Sequence, residues 1–381
     1  MRILHIVGTI NPAAGGPTEV IRTLVRYAPP GYESEVATLD DPAAPFLATL
    51  EFPVHALGSA KKTWRVPKFA QWLSTNRTRF DGVMVHGLWE YTGLAALNEL
   101  AGKTPYVVFT HGMLDPYFKR AHPRKHLKKW AYWLPFEYRV LRNAHRVLFT
   151  TQLEADLAKQ TFWLHQWNPM VVAIGSNPPP AEPEKLLEAF QARCPDLKGK
   201  KFLLFLGRID PKKGPDLLLD AFTAPNNPDL HIAMVGPETA DYGQQLRTKL
   251  AASQFADRIH WPGMLTGNAK WGAFAACEAF ILPSHQENFG IAIVEALASG
   301  KPVLISNQIN IYPEIAADRC GYVEPDTLEG TRSLLKRWLE TPAEERAVMG
   351  QRALQTFVTR YDMRKNAETI LRVFEPTKET R

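Results

Sequence analysis

The sequence predicts an α/β protein built from two doubly wound, Rossmann-like domains that face a central cleft. Short, continuous apolar segments alternate with longer segments of helical periodicity along most of the 381 residues. Continuous apolar strands are typical of parallel sheets that helices cover on both faces. The alternation occurs twice, before and after a proline-rich stretch at 177–183.

The elements follow one another in the order that such sheets require. In the first half, the predicted strands are Ile3–Val7, Val83–His86, Tyr106–Thr110, Arg146–Thr150 and Val171–Ile174, and the predicted helices include Thr18–Tyr27 and Leu153–Gln160. In the second half, the predicted strands are Phe202–Leu206, His231–Val235, Ile259–Trp261, Ala279–Leu282, Val303–Ser306 and Tyr322–Val323. The predicted helices there include Pro215–Phe222, Gly243–Ala252, Lys270–Ala276 and Ile291–Ala298.

The proline-rich stretch separates the two halves, because consecutive prolines cannot join a central strand. We expect one domain over 1–178, a second over 195–356, and a C-terminal segment over 357–381. The carboxyl ends of parallel strands are the usual ligand position in such sheets, so the shared cleft is the expected site.

Composition excludes several classes of protein. The chain is 45% hydrophobic and 22% charged, with a net charge of +6, which is ordinary for a globular protein. Cys194, Cys277 and Cys320 show no metal-ligand spacing and predict reduced thiols in a cytoplasmic protein. The sequence contains no run of roughly 18 apolar residues, so no membrane-spanning helix is predicted. The N-terminus reads as a first strand, not as a signal peptide.

Two cations follow a buried strand in the segment Phe205-Leu-Gly-Arg-Ile-Asp-Pro-Lys-Lys-Gly214. Arg208 and Lys213 lie on its strand-to-helix loop and suit a diphosphate, which arginine can bind with two hydrogen bonds. Gly214 is followed by Pro215, so this is not a Walker A loop. The alternative is a solvated basic turn.

Two carboxylates flank a predicted helix start in Ser284-His-Gln-Glu-Asn-Phe-Gly-Ile-Ala-Ile-Val-Glu295. Gly290 opens the helix, whose free N–H groups and positive dipole end suit phosphate. Glu287 precedes that end, and Glu295 lies about one turn inside. A buried carboxylate requires a partner, which could be sugar hydroxyls or a structural lysine or arginine.

The first domain offers weaker signals. Gly15 and Gly16 follow the first strand, where glycines allow a ligand to approach the backbone. The pattern is not GxGxxG and argues against a nicotinamide or flavin cofactor; a flexible turn is the alternative. His86 and His111 close apolar strands, where a histidine can bind a sugar hydroxyl or a phosphate, or be satisfied by the local backbone.

A basic and aromatic tract spans 117–138. Such a helix can lie on an anionic membrane surface or contact a charged acceptor. Aromatic residues of this kind more often pack in a protein core than anchor a helix in a membrane. Basic residues of this kind more often form a solvent-exposed face of a helix.

The second half resembles glycosyltransferase family 4, the retaining nucleotide-sugar transferases of GT-B fold also called group 1. The resemblance rests on Gly207-Arg208 to Lys213-Gly214 and on Pro283 to Val303, which contains a Glu-x7-Glu pattern. It implies that Arg208 and Lys213 hold the donor diphosphate and that Glu295 binds the ribose. It also implies that Glu287 binds the transferred sugar, with backbone N–H groups of Phe289, Gly290 and Ile291 on the phosphates.

In the first domain, the resemblance implies that His111 approaches the donor sugar and that Gly15 and Gly16 face the diphosphate. The C-terminal helix, expected within Asp362–Phe374, would cross back to this domain.

The predicted function is transfer of a hexosyl group from a UDP- or GDP-sugar to a saccharide or lipid-linked acceptor, in cell-surface polysaccharide or glycolipid biosynthesis. No metal is expected, because the chain shows no clustered Asp-x-Asp. No cofactor is expected either, since the nucleotide diphosphate sugar is a substrate. The protein is expected in the cytoplasm, peripheral on the inner face of the plasma membrane if 117–138 touches lipid. No nucleic acid is expected as partner. The alternatives are a nucleotide-sugar epimerase of the same fold and a non-enzymatic module that binds nucleic acid or membrane.

Overall fold

The structure is a computed structural model that describes residues 1–58, 65–222, 229–251 and 253–375. They form two compact units, and the chain passes from the first to the second between Ile174 and Gly175. The chain re-enters the first unit at Met363. Within the described ranges, no helix is both long and apolar enough to cross a membrane.

The first unit contains a parallel sheet in the order β3-β2-β1-β4-β5-β6-β7, counted over its described residues. Its strands are β1 (Arg2–Val7), β2 (Glu33–Thr38), β3 (Val54–Ala56), β4 (Gly82–His86), β5 (Tyr106–Phe109), β6 (Arg146–Phe149) and β7 (Pro169–Val171). Its helices up to the unit boundary are α1 (Gly16–Arg26), α2 (Pro67–Asn76), α3 (Tyr91–Leu100), α4 (Tyr117–Ala121), α5 (Pro123–Tyr132), α6 (Tyr138–Asn143) and α7 (Gln152–Ala158).

The sequence did not predict β2 and β3, the two strands at one edge of this sheet. The first half of β2 is polar, and β3 has only three residues. Glu35 of β2 is held by Arg2, Arg79 and His55. An edge strand that carries charges lacks the continuous apolar pattern of a buried strand, which explains the omission.

The second unit contains a parallel sheet in the order β10-β9-β8-β11-β12-β13, again over described residues. Its strands are β8 (Lys201–Leu206), β9 (Leu230–Val235), β10 (Ile259–Gly263), β11 (Ala279–Leu282), β12 (Val303–Ser306) and β13 (Gly321–Glu324). Its helices are α8 (Pro183–Arg193), α9 (Pro215–Phe222), α10 (Ala240–Ala251), α11 (Gly267–Ala276), α12 (Ile291–Ala298), α13 (Tyr312–Asp318), α14 (Leu328–Glu340) and α15 (Ala343–Thr356).

The last helix, α16 (Met363–Leu371), belongs to the first unit, where it packs beside α1. Its buried side chains include Ala367, Ile370 and Leu371. The sequence-based bounds, 1–178 and 195–356, left α8 outside both domains. In the structure, α8 packs against α11 of the second unit.

Each sheet reverses its strand order once. The loops that follow the strands at this switch point lie next to one another. In the second sheet, β8 lies between β9 and β11, so the chain winds in both directions from β8. In the first sheet, β1 lies likewise between β2 and β4. Ligands of doubly wound sheets bind at such switch points, outside the carboxyl ends of the strands.

Candidate active-site loops in each unit

In the second unit, the loops after β8 and β11 meet at the switch point. Gly214 adopts a left-handed conformation (φ 65°), and a Cβ there would lie 2.2 Å from the Pro283 carbonyl oxygen. The Ser284 hydroxyl donates to the carbonyl of Lys212 at 2.9 Å, and the Lys212 N–H donates to Asp210 at 3.0 Å. These contacts hold the cationic loop against the segment that carries Glu287.

Lys213 and Glu287 therefore form an ion pair, with side chains only 15% and 18% exposed. Burial, followed by the charges of Lys212 and Arg208, lowers the pKa of the Lys213 ammonium to about 7. The Asp210 carboxylate opposes this shift because an adjacent negative charge favours the ammonium. The structure thus brings together two residues that the sequence had assigned to different parts of a donor.

Arg208 lies on the same loop and is exposed to solvent. Its neighbour Ile209 is fully buried, and the Ile209 N–H donates to the carbonyl of Pro237 at 2.9 Å. The loop is anchored at Ile209, and the Arg208 side chain next to it is exposed.

The N-terminus of α12 is open. Gly290 is its N-cap residue at φ 78°, and no side chain caps the helix. The first N–H groups of a helix have no partner within it, so those of Ile291 and Ala292 can face an anion, whereas the Ile293 N–H donates to the Gly290 carbonyl at 2.8 Å. Phe289 is buried, with its ring 5.5 Å from that of Tyr361, so only its backbone is suited to a ligand.

Glu295 is 10% exposed, and its carboxylate accepts from the Lys270 ammonium at 2.6 Å. The structural partner that the sequence left open therefore exists. Sequence reasoning missed Lys270, although a single lysine in the otherwise apolar helix α11 was a usable signal. A carboxylate offers about four acceptor positions, so an ion pair and a sugar hydroxyl are compatible.

In the first unit, Asp40 fixes the loop that follows β1. Its carboxylate accepts from the Thr9 hydroxyl at 2.6 Å and from the Ile10 N–H at 2.8 Å. Gly15, at φ 95°, is the N-cap residue of α1. A Cβ added to Gly16 would meet nothing within 4 Å, so the folded chain itself does not require a glycine at that position.

Three histidines form a hydrogen-bonded chain across the carboxyl half of the first sheet. His5 Nδ1 lies 3.0 Å from His86 Nε2, and His86 Nδ1 lies 3.0 Å from His111 Nε2. Burial lowers the pKa of His5 to about 4, that of His111 to about 3, and that of His86 well below its usual value. His86 is buried between the other two, so the expectation that it points toward a ligand is wrong.

The outermost ring nitrogen of His5 fixes the direction of the hydrogen bonds among the three histidines. His5 Nε2 is buried without a partner. A buried N–H without a partner is rarer than an unsatisfied acceptor, so we assign a lone pair to that atom. His5 then donates to His86, His86 donates to His111, and the proton of His111 resides on Nδ1. The ring of His111 is thereby held as a neutral hydrogen-bond donor.

Glu154 holds the turn that carries His111. Its buried carboxylate accepts from the Thr110 hydroxyl and the Gly112 N–H, each at 2.7 Å, and from the N–H and hydroxyl of Thr150, each at 2.6 Å. His111 itself is left-handed (φ 49°), a strained conformation that needs such support. Sequence reasoning missed Glu154, since nothing local distinguishes it from a helical surface charge.

The tract 117–138 divides into an inner and an outer face. Trp133 and Tyr138 are buried in the core, as is usual for aromatic side chains. Leu127 and Leu134 are 72% and 51% exposed, and the neighbouring loop adds Trp163 at 77%. The basic residues on the exposed surface of the tract include Lys119, Arg120, Arg124, Lys125 and Lys128.

Comparison with known proteins decides the family. Residues 188–356 match the model of the family described as "Glycosyl transferases group 1", and residues 15–175 match the "Glycosyl transferase 4-like domain". The chain belongs to the group 1 glycosyltransferases. The matches confirm the resemblance that rested on the loop with Arg208 and Lys213 and on the segment with Glu287 and Glu295.

Curated relatives of this glycosyltransferase match over about half of the chain. Mannosylfructose-phosphate synthase of Agrobacterium fabrum is 26% identical over 47% of the chain and 41% of its own length. Phosphatidyl-myo-inositol mannosyltransferase of Mycobacterium tuberculosis is 32% identical over 46% of the chain and 47% of its own length. The chain thus spans less than half the length of these relatives.

Solved structures match over nearly the whole chain. Sucrose-phosphate synthase from Thermosynechococcus elongatus aligns with a TM-score of 0.78 at 18% identity, covering 98% of both chains. HepE from Anabaena, solved with UDP-glucose, aligns with a TM-score of 0.75 at 18% identity, covering 97% of this chain and 98% of its own. These likenesses confirm a two-domain α/β protein of GT-B fold.

Proposed function

We propose that this glycosyltransferase is a retaining, metal-independent hexosyltransferase that uses a UDP- or GDP-sugar and a saccharide or lipid-linked acceptor. The observation that carries the proposal is the Lys213–Glu287 ion pair at the switch point of the second sheet. It joins a cation suited to phosphate with a carboxylate suited to sugar hydroxyls. The reaction would serve cell-surface polysaccharide or glycolipid biosynthesis.

The diphosphate leaving group gains negative charge as its bond to the sugar breaks. Arg208, Lys213 and the open N-terminus of α12 supply the opposing positive charge, which is electrostatic stabilisation of the transition state. Lys213 exchanges its bond with Glu287 for one with the diphosphate when the donor binds. The exchange leaves Glu287 available for hydroxyls of the transferred sugar.

The remaining groups orient the donor. Glu295, held by Lys270, accepts from ribose hydroxyls, while backbone N–H groups from Phe289 to Ile291 contact the phosphates. In the first unit, His111 donates its Nδ1–H to a sugar hydroxyl, and Gly15 and Gly16 let the backbone approach the diphosphate. The described residues include no carboxylate that the geometry distinguishes as a covalent nucleophile. We therefore favour front-face transfer: the acceptor oxygen bonds to the anomeric carbon as the phosphate oxygen leaves and takes the acceptor proton.

A peripheral membrane contact is part of the proposal. Leu127 and Leu134, seven positions apart, lie on one exposed side of the helical tract, and Arg124 and Lys128 flank Leu127. Apolar side chains bordered by basic residues favour binding to anionic lipid surfaces. Leu127→Gln should weaken sedimentation with anionic vesicles without changing the melting temperature. Equal sedimentation of both proteins would contradict this contact.

The experiment for the function is a donor panel with and without acceptors, in buffer that contains EDTA. We expect release of a nucleoside diphosphate from one UDP- or GDP-sugar, transfer of the sugar, and retention of its anomeric configuration in the NMR spectrum of the product. Loss of turnover in EDTA would contradict metal independence. Conversion of the donor alone into an isomeric sugar nucleotide would favour the epimerase. Stabilisation by oligonucleotide, without any by nucleoside diphosphates, would favour the non-enzymatic module.

A further inference from the structure

A small cavity lies in the first unit, close along the chain to His111. Its volume is about 230 Å³, and α4, α5 and the segments 113–115 and 161–162 line it. Pockets for drug-sized ligands usually enclose roughly 300–1,000 Å³, so this one suits a ligand of monosaccharide size. None of the motifs assigned to the donor contributes a residue to it.

The cavity wall is rich in positive charge. Lys125 and Lys129 line it together with two histidines, His122 and His126. The Lys129 ammonium lies 4.3 Å from the centre of the Trp89 ring and is half-buried. Burial raises the pKa of the nearby Glu137 carboxyl to about 8 and lowers the pKa of the Lys129 ammonium. Asp115 is the acidic residue of the lining, against two lysines and two histidines.

His126 adds an independent observation at this cavity. Its side chain is more than nine-tenths buried, and its Nε2 atom has no hydrogen-bond partner. A buried polar atom without a hydrogen-bond partner is destabilising, so a ligand atom that reaches it gains affinity. Burial, and then the charges of Lys119 and Lys129, lower the pKa of His126, as expected where the local potential is positive.

The rest of the wall suits a polyol or sugar ring. Phe118 and Phe162 present aromatic surface, and the His126 ring lies 4.7 Å from that of Phe162. Asp115 adds a buried carboxylate that already accepts from the Tyr117 N–H at 2.7 Å. Aromatic faces and one carboxylate accommodate a ring and its hydroxyls, while the cations accommodate an anionic substituent.

We infer that this cavity binds the phosphate-bearing end of a phosphorylated sugar or polyol, which serves as the acceptor. The inference rests on the proposed transfer reaction and names its acceptor class. The phosphate accepts from Lys125 and Lys129, the unpartnered Nε2 of His126 accepts from a hydroxyl of the ring, and the ring packs on Phe118. The same chemistry can come from a free sugar phosphate or from the headgroup of a phosphorylated polyol lipid.

The test is titration calorimetry with inorganic phosphate, glucose 6-phosphate and glucose, together with sedimentation of vesicles with and without phosphatidylinositol. We expect phosphorylated probes to bind at least about tenfold more tightly than glucose, since charge-assisted hydrogen bonds contribute about 1.5–3 kcal/mol. The variant with Lys125→Gln and Lys129→Met should bind the phosphorylated probes at least about tenfold more weakly than the wild type. Lys103→Gln, an exposed lysine of the same unit outside the cavity wall, is the matched control.

The outcomes separate the two proposals. Binding of free phosphates identifies a soluble acceptor, and binding of phosphatidylinositol vesicles alone identifies a lipid headgroup. Equal loss of binding in Lys103→Gln, or no preference for phosphorylated probes, overturns the cavity assignment. If the protein binds a nucleoside diphosphate but none of these probes, only the acceptor inference fails. If it binds neither, the proposed transfer fails too. Should the double variant unfold, Lys125→Gln alone carries the test, because Lys125 is exposed.

Discussion

Lys213 illustrates how one residue can couple donor binding to pH. Its pKa of about 7 means that the ammonium begins to lose its proton near neutrality in the unliganded protein. A bound diphosphate favours the charged form, so binding takes up a proton above that pH.

We therefore expect the affinity for a nucleoside diphosphate to fall as pH rises above about 7, by up to about tenfold per pH unit. Below that pH, the ammonium is already charged and this contribution is constant. Titration calorimetry in buffers of different ionisation enthalpy measures the proton uptake directly. Lys213→Arg should flatten the dependence because arginine keeps its charge. The same slope in wild type and Lys213→Arg would show that another group titrates.

Arg208 should contribute mainly to the chemical step. We expect Arg208→Ala to lower kcat by about 10²-fold or more, the usual loss when one preorganised donor is removed from a developing charge. Lys200→Ala removes an exposed charge just before the opposite end of β8 and serves as the control. Full activity of Arg208→Ala with a verified donor would remove Arg208 from the site.

His86 acts through His111 and is a positioning residue. His86→Phe removes the acceptor for His5 and the donor to His111, so the His111 ring loses its fixed tautomer. We expect kcat to fall roughly tenfold with a nearly unchanged donor KM, by analogy with outer partners of functional histidines. Exposed His145 of the same unit offers the control His145→Asn. A change in melting temperature with unaltered kcat would indicate a purely structural histidine.

At the scale of elements, α12 shows how far sequence reasoning reached. Its apolar composition, opening glycine and buried glutamate predicted a helix over Ile291–Ala298, and the structure has those bounds. The partner of Glu295 was missed: the lysine in α11 was a signal for a buried charge, but Lys270 lies on another helix and only the folded chain shows that it meets Glu295. The same holds for Glu154, whose four hydrogen bonds come from separate loops.

The loop before α1 permits a test that separates stability from function. Gly16→Ala places a methyl group where the folded chain has open space, so the melting temperature should stay the same. If the backbone approaches a diphosphate there, the donor KM should rise about tenfold or more, since a close contact is lost. Gly290→Ala offers a contrast, because its Cβ would lie 2.7 Å from Ile293 Cδ1 and should lower stability. An unaltered donor KM in Gly16→Ala would argue against the proposed approach.

At the scale of the whole molecule, composition and periodicity predicted two parallel sheets because their central strands are almost entirely apolar. Val303–Ser306 and Ala279–Leu282 are buried at every position and match their predicted bounds. The strands that escaped prediction, β2 and β3, lie at a sheet edge and are polar or short. The position of α8 also escaped, because prolines on both sides resemble a linker more than an element of a domain.

The central claim is that the loops after β8 and β11 form a nucleoside diphosphate site. The most direct test is calorimetric titration of wild type and of the Arg208→Ala, Lys213→Ala double variant with UDP, GDP and the matching monophosphates. We predict that one diphosphate binds at least about tenfold more tightly than its monophosphate, and that the double variant loses this preference. Absence of diphosphate binding to the wild type, or an undiminished preference in the double variant, would contradict the claim.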